Sequence, residues 1–205
     1  MTEKFNDSVN FHKDMTFSEK MMPYVFDILG DLPMKLFGII TPATPEDDVK
    51  HGTDLYIKIG DGGNIAVRIR RAKTDAGFNV LKADDVTIRY QINDHPFQSG
   101  TSHLNKTEFN KIKDGTFKAK YYFYGVANLK EDGIEKWVIW DVNKAQKDYF
   151  SKEGVVKRWR SLSANSRYDE YGDRFYCVPV PDLRSANAII YEHWNLVDNK
   201  KDSSS

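Results

Sequence analysis

Asp54 opens the alternating segment Asp54-Leu55-Tyr56-Ile57-Lys58-Ile59, and Arg68 and Arg70 lie on the next one, Asn64 to Arg71. A carboxylate held by backbone on both sides is well placed to bind a divalent cation. An Asp after Gly52-Thr53 is also ordinary turn chemistry. Arg68 and Arg70 alternate with Val67 and Ile69, so both leave one face of a strand while Arg71 points the other way. Two guanidiniums on one face can clamp a phosphate or stabilise developing negative charge. They can equally belong to a polar strand face paired with acids, with Arg89 as a cross-strand companion.

Phosphodiester chemistry on a metal calls for a second carboxylate. Glu19 would supply it if the first helix packs beside the hairpin, although Thr16-Phe17-Ser18-Glu19 also has the form of a capping box. Glu46, Asp47 and Asp48 form a solvated acidic loop just before Asp54. Further along, Lys157-Arg158-Trp159-Arg160 with Arg167 and Tyr168 interleaves phosphate-pairing cations with a stacking surface; the bland alternative is a polar loop anchored by one Trp. No Gly-Lys-Ser/Thr phosphate loop, GxSxG or HExxH occurs, and the five His are scattered. Cys177 lies inside an apolar strand pattern, where a thiol is inert packing.

The elements that must position these residues follow from periodicity. Phe17, Met21, Val25, Ile28 and Leu29 share a helical face, with Pro23 expected to kink or restart that helix. "MKLFGII" predicts a strand. "DLYIKI" and "NIAVRIRR" are joined by Gly60-Asp61-Gly62-Gly63 and predict a β-hairpin. "DVTIRYQI", "AKYYFYGVANL", "KWVIWDV" and "RFYCVPVPDL" predict further strands, rich in β-branched and aromatic residues. Helices are expected in "NKTEFNKIKDG", in "NKAQKDYFSKEG" between Asn143 and Gly154, and in "RSANAIIYEHWN" at the end. This order suggests an α/β or α+β layer on a mixed sheet: a short segment over 1–15, one domain over 16–196 and a tail over 197–205.

With 205 residues, 40% of them apolar, the chain can bury a core as one domain. Thirty basic and thirty acidic side chains cancel, so any nucleic-acid surface must be a local patch. The single cysteine excludes an intramolecular disulfide or a zinc site built from several cysteines. No apolar run approaches a membrane span and no signal-peptide core is present, so a reducing, cytoplasmic setting is expected.

A helix with an acid, a hairpin opened by Asp, a second strand with basic residues, then a helix and a strand: this order resembles the PD-(D/E)xK nuclease superfamily. More narrowly, it is similar to phage-type, restriction-endonuclease-like proteins whose hairpins read "GTDL…AVRIRR". Thr87-Ile88-Arg89, Thr107-Glu108-Phe109-Asn110-Lys111-Ile112 and Tyr121-Tyr122-Phe123-Tyr124-Gly125 extend the similarity over most of residues 14 to 190. The resemblance implies a restriction-endonuclease-like mixed β-sheet flanked by helices, and Mg²⁺-dependent cleavage of nucleic acid, with DNA as the expected substrate. It makes Asp54 and Glu19 the metal ligands, puts Arg70 where the family has its catalytic lysine, and gives Arg71, Arg89, Lys157, Arg158, Arg160 and Arg167 to the nucleic-acid backbone. It also implies a homodimer where both strands are cut, although the sequence carries no identifiable interface.

Arg68 departs from the pattern by standing at the second acidic position. An Arg cannot ligate Mg²⁺, so the acid would come from Glu19, Glu46, Asp47, Asp48, Asp84 or Asp85, or Gln91 would lend a neutral oxygen. Otherwise the domain has stopped cutting and binds nucleic acid, or contacts a protein partner such as a host defence nuclease. A structural or assembly protein of a phage-like element is the third class.

Overall fold

The computed structural model describes residues 6–33, 38–44, 54–57, 63–73, 77, 79–91, 108–113, 115–145, 160–163 and 174–194. These residues form a mixed six-stranded sheet, a smaller three-stranded sheet and a few helices. No described helix is long and apolar enough to cross a membrane.

Helix α1 spans Asn6–Asp31. Phe17, Met21, Val25 and Leu29 recur every four residues and are all buried, so one stripe is anchored along the helix. Pro23 lies inside α1, on its exposed side. The backbone bond it removes is outweighed by the buried stripe running past it. The helix continues unbroken through Thr16–Glu19, which corrects the expectation that these residues cap its start. The sequence before Thr16 lacks apolar periodicity, and so hid the first turns of α1.

Strands β1 (Ile40–Pro42), β2 (Leu55–Ile57) and β3 (Gly63–Arg70) form an antiparallel meander, with Ile40 opposite Ile57 and Leu55 opposite Ile65. The predicted hairpin is present. Residues 58–62 of its turn lie outside the described residues, while Gly63 at its end has φ 138°, a backbone conformation open to glycine. Pro42 ends an edge strand, where its missing N–H leaves no ladder position unfilled. The chain then makes β4 (Asp85–Gln91) and helix α2 (Glu108–Lys113) before returning as β5 (Tyr121–Ala127), parallel to β3. Strands β6 (Ile134–Asp141) and β9 (Ile189–His193) complete the order β1-β2-β3-β5-β6-β9.

Strand β4 does not join this sheet. It pairs with β8 (Arg174–Pro179), which pairs with β7 (Arg160–Ser163). Arg89 therefore stands opposite Phe175 and is not a cross-strand neighbour of Arg68 or Arg70. The end of the chain also differs from expectation. After the short helices α3 (Val142–Ala145) and α4 (Val180–Ser185), the segment expected to be helical forms β9. Asn187 adopts φ 51° and breaks the helix, and Ile189 and Ile190 then cover the open edge of β6.

The main sheet has two buried faces. Ile65, Tyr121, Phe123 and Ile139 pack against Val25 and Leu29 of α1. On the other face Ala66, Tyr122, Tyr124, Val126, Val138 and Trp140 meet Ile112 of α2 and Val86, Ile88 and Val178 of the small sheet. Arg68 and Arg70 alternate with Val67 and Ile69, which places both on this second face.

Candidate functional site

Asp54 is fixed by three backbone contacts. Its N–H donates to Ile65 O at 3.0 Å, its carbonyl accepts from Ala43 N at 2.8 Å, and its Oδ2 accepts from Val67 N at 2.6 Å. The carboxylate is thereby clamped against β3, one residue from Arg68. This geometry follows from register: Leu55 faces Ile65, so Asp54 falls opposite Ala66 and shares the Arg68 face.

Arg68 reaches across to α2, where its Nη1 donates to Glu108 Oε1 at 3.2 Å and Oε2 at 3.1 Å. The Arg68 side chain is 10% exposed and that of Glu108 28%, so the pair is sheltered yet open on its acidic side. Glu108 sits in the first turn of α2, where the helix dipole also favours a carboxylate.

Tyr122 stands opposite Ala66 on the neighbouring strand β5 and shares this face of the sheet. Its hydroxyl is fully buried and has no hydrogen-bond partner among the described residues. Burial holds its pKa well above the ordinary 10.0; the charges of Glu108 and Asp54 push it further up and Arg68 pulls it down. The phenol therefore stays protonated, a buried hydrogen-bond donor. Its ring stacks on Trp140 at 5.1 Å and on Phe117 at 6.2 Å, which fixes its direction. Tyr124 is the next residue on this face. Its hydroxyl lies 3.1 Å from Thr87 Oγ1, and burial raises its pKa against the opposing charge of Arg70.

Asp54, Arg68 and Arg70 are thus brought to one face, and Glu108 and Tyr122 join them. Glu19 is not brought there. It is exposed on α1, two positions from buried Phe17, and α1 covers the opposite face of the sheet. Arg71 is directed to that side as well, 3.3 Å from Glu131 Oε1 and stacked 4.1 Å over the Phe17 ring. Asp84 accepts from Trp194 Nε1 at 2.9 Å, and Asp85 opens β4 opposite Pro179 in the small sheet. Arg160 begins β7 opposite Cys177, away from the hairpin in the small sheet. Lys157, Arg158, Arg167, Glu46, Asp47 and Asp48 lie outside the described residues.

Glu108 is the residue that sequence reasoning passed over. Its signal was an acid opening the helix between β3 and β5, in the segment Thr107 to Ile112. Asp54 and Glu108 both carry hard carboxylate oxygens, the ligand type that Mg²⁺ takes. Among the described residues no group of three or more His, Cys, Asp or Glu could hold a metal ion. No family model, curated protein or solved structure matches the chain.

Proposed function

We propose that the protein is a Mg²⁺-dependent phosphodiesterase of restriction-endonuclease-like fold that hydrolyses nucleic acid, with DNA as substrate. The observation that carries this reading is that Asp54, just ahead of β2, shares one face of the main sheet with Arg68 of β3, which pairs with Glu108 of α2. Helix, hairpin, helix and parallel strand also occur in the order that carries the resemblance to PD-(D/E)xK nucleases.

In this reading Glu108 replaces Glu19 as the second carboxylate. Asp54 and Glu108 would hold Mg²⁺, which supplies an activated water and offsets charge on the phosphate when bound. Asp54 is held against β3 by Val67 N, which fixes the direction of its carboxylate. Arg68 and Arg70 project from alternate positions of β3 and bind the phosphate oxygens. The Tyr122 hydroxyl donates a hydrogen bond to an oxygen brought into the site.

One observation favours a second reading, a domain that holds nucleic acid without cutting it: Arg68 occupies Glu108 in an ion pair. Labelled duplex DNA incubated with the protein in Mg²⁺ or in EDTA separates the two. Cleavage in Mg²⁺ alone, reduced about 100-fold or more by Asp54→Asn and by Glu108→Gln, is the expected result. Binding without Mg²⁺-dependent cleavage favours the second reading and overturns the first.

A further inference from the structure

Basic and acidic side chains cancel over the whole chain, so any attraction for a polyanion has to be local. Lysines gather at one end of the main sheet, where β5 begins and β6 ends. The Lys118 carbonyl accepts from Asn64 Nδ2 at 3.4 Å, which ties Lys118 to the start of β3. The Lys120 carbonyl accepts from Val142 N at 2.9 Å, which ties Lys120 to the first residue of α3, and Lys144 follows in the same short helix. Lys118 and Lys144 are exposed, and neither side chain has a carboxylate partner among the described residues. Asp141 is buried, and its Oδ1 accepts from Lys144 N at 3.1 Å, so this acid caps α3. The other end of β5 is different. There Lys20 and Arg71 both pair with Glu131, at 3.7 and 3.3 Å, and Asp132 and Glu135 follow in the chain.

We propose that Lys118, Lys120 and Lys144 form a contact surface for the phosphate backbone of duplex DNA, separate from the arginines of β3. The inference rests on the reading that the protein takes nucleic acid, and it adds where the duplex lies. Lys120 comes four residues before Tyr124, which stands opposite Arg68, and four residues span about 13 Å along a strand. Phosphates recur about every 3.4 Å of axis along one DNA strand, so a duplex lying along β5 spans both the lysines and Arg68. Lysine ammoniums act as point charges on a backbone. The surface therefore sets the position of the duplex and carries no base preference.

Fluorescence anisotropy of a labelled DNA duplex, with the full chain in EDTA over a range of salt concentrations, tests the surface. Lys120 is half-buried and rests on the Tyr121 ring, so the variants are made at the two exposed lysines. The double variant Lys118→Gln, Lys144→Gln is expected to bind about tenfold more weakly than the parent near ~0.1 M salt, with the slope of log affinity against log salt shallower by about two. Lys118→Arg with Lys144→Arg should keep both affinity and slope. Lys130→Gln, in the turn at the other end of β5, should change neither. An unchanged slope in the glutamine double variant overturns the proposal, and so does an equal loss in Lys130→Gln. Should the double variant fold poorly by circular dichroism, each single variant is expected to lower the slope by about one. Binding of the parent to phosphatidylserine vesicles with none to DNA also overturns it. DNA held through these lysines without cleavage in Mg²⁺ leaves the surface standing and removes the hydrolase. Cleavage with an unchanged slope in the double variant does the reverse.

Discussion

Tyr122 shows how one atom can be in conflict with its surroundings for a reason. Its ring is well stacked between Phe117 and Trp140, but its hydroxyl is buried with no partner among the described residues. A core position chosen for packing alone would be better filled by Phe. Tyr122→Phe is therefore expected to stabilise the fold by about 1 kcal/mol, because an unsatisfied buried donor disappears. The same change should lower Mg²⁺-dependent cleavage about tenfold or more, since the donor to an incoming oxygen is gone. Thermal melts and cleavage rates on one preparation check both halves. Higher stability with unchanged activity would return Tyr122 to the core.

Among elements, the hairpin and β5 were legible because their signals are local. Alternation in "DLYIKI" and "NIAVRIRR" set both strands, and the run Tyr121 to Ala127 is buried at every position, as a central strand covered on both faces should be. Glu108 was not legible as a site residue. Its contact with Arg68 spans forty residues, and only the parallel return of β5 after α2 creates it. The helical expectation over "RSANAIIYEHWN" failed because an open sheet edge outweighed a weak helical pattern. Gly125 in β5 is another demand of packing that the sequence does not announce. A Cβ there would come within 3.0 Å of Phe123 Cε1 and 3.2 Å of Ile134 Cγ2. Gly125→Ala is expected to cost about 1–3 kcal/mol of stability, read as a lower denaturant midpoint with little change in its slope.

For the whole molecule, the join between the two sheets is made partly by Lys136. From β6 its Nζ donates to Leu81 O at 3.0 Å and to Ala83 O, and it lies 4.1 Å over the Trp194 ring. The indole N–H of Trp194 in turn donates to Asp84, next to the start of β4. Burial lowers the Lys136 pKa from 10.5 to about 8, against the opposing pull of Asp84 and Asp85. The unfolded lysine keeps its proton up to about pH 10.5 and the folded one loses it near 8. Between those values the unfolded chain binds more protons, so this group's contribution to stability rises with pH across that window. Trp fluorescence should change with a midpoint near pH 8, and Lys136→Met should abolish that transition along with the pH-dependent gain in stability. A titration identical in parent and variant would separate Lys136 from the effect.

The central claim is that Asp54 and Glu108 share one divalent cation, although Arg68 of β3 pairs with Glu108 in the free protein. A crystal structure of the chain with duplex DNA and Ca²⁺, a hard cation standing in for Mg²⁺, tests it most directly. One ion within about 2.3–2.6 Å of carboxylate oxygens from both residues, with Arg68 turned onto a phosphate, is the predicted result. DNA bound with Glu108 still on Arg68 and no ion at Asp54 would contradict it.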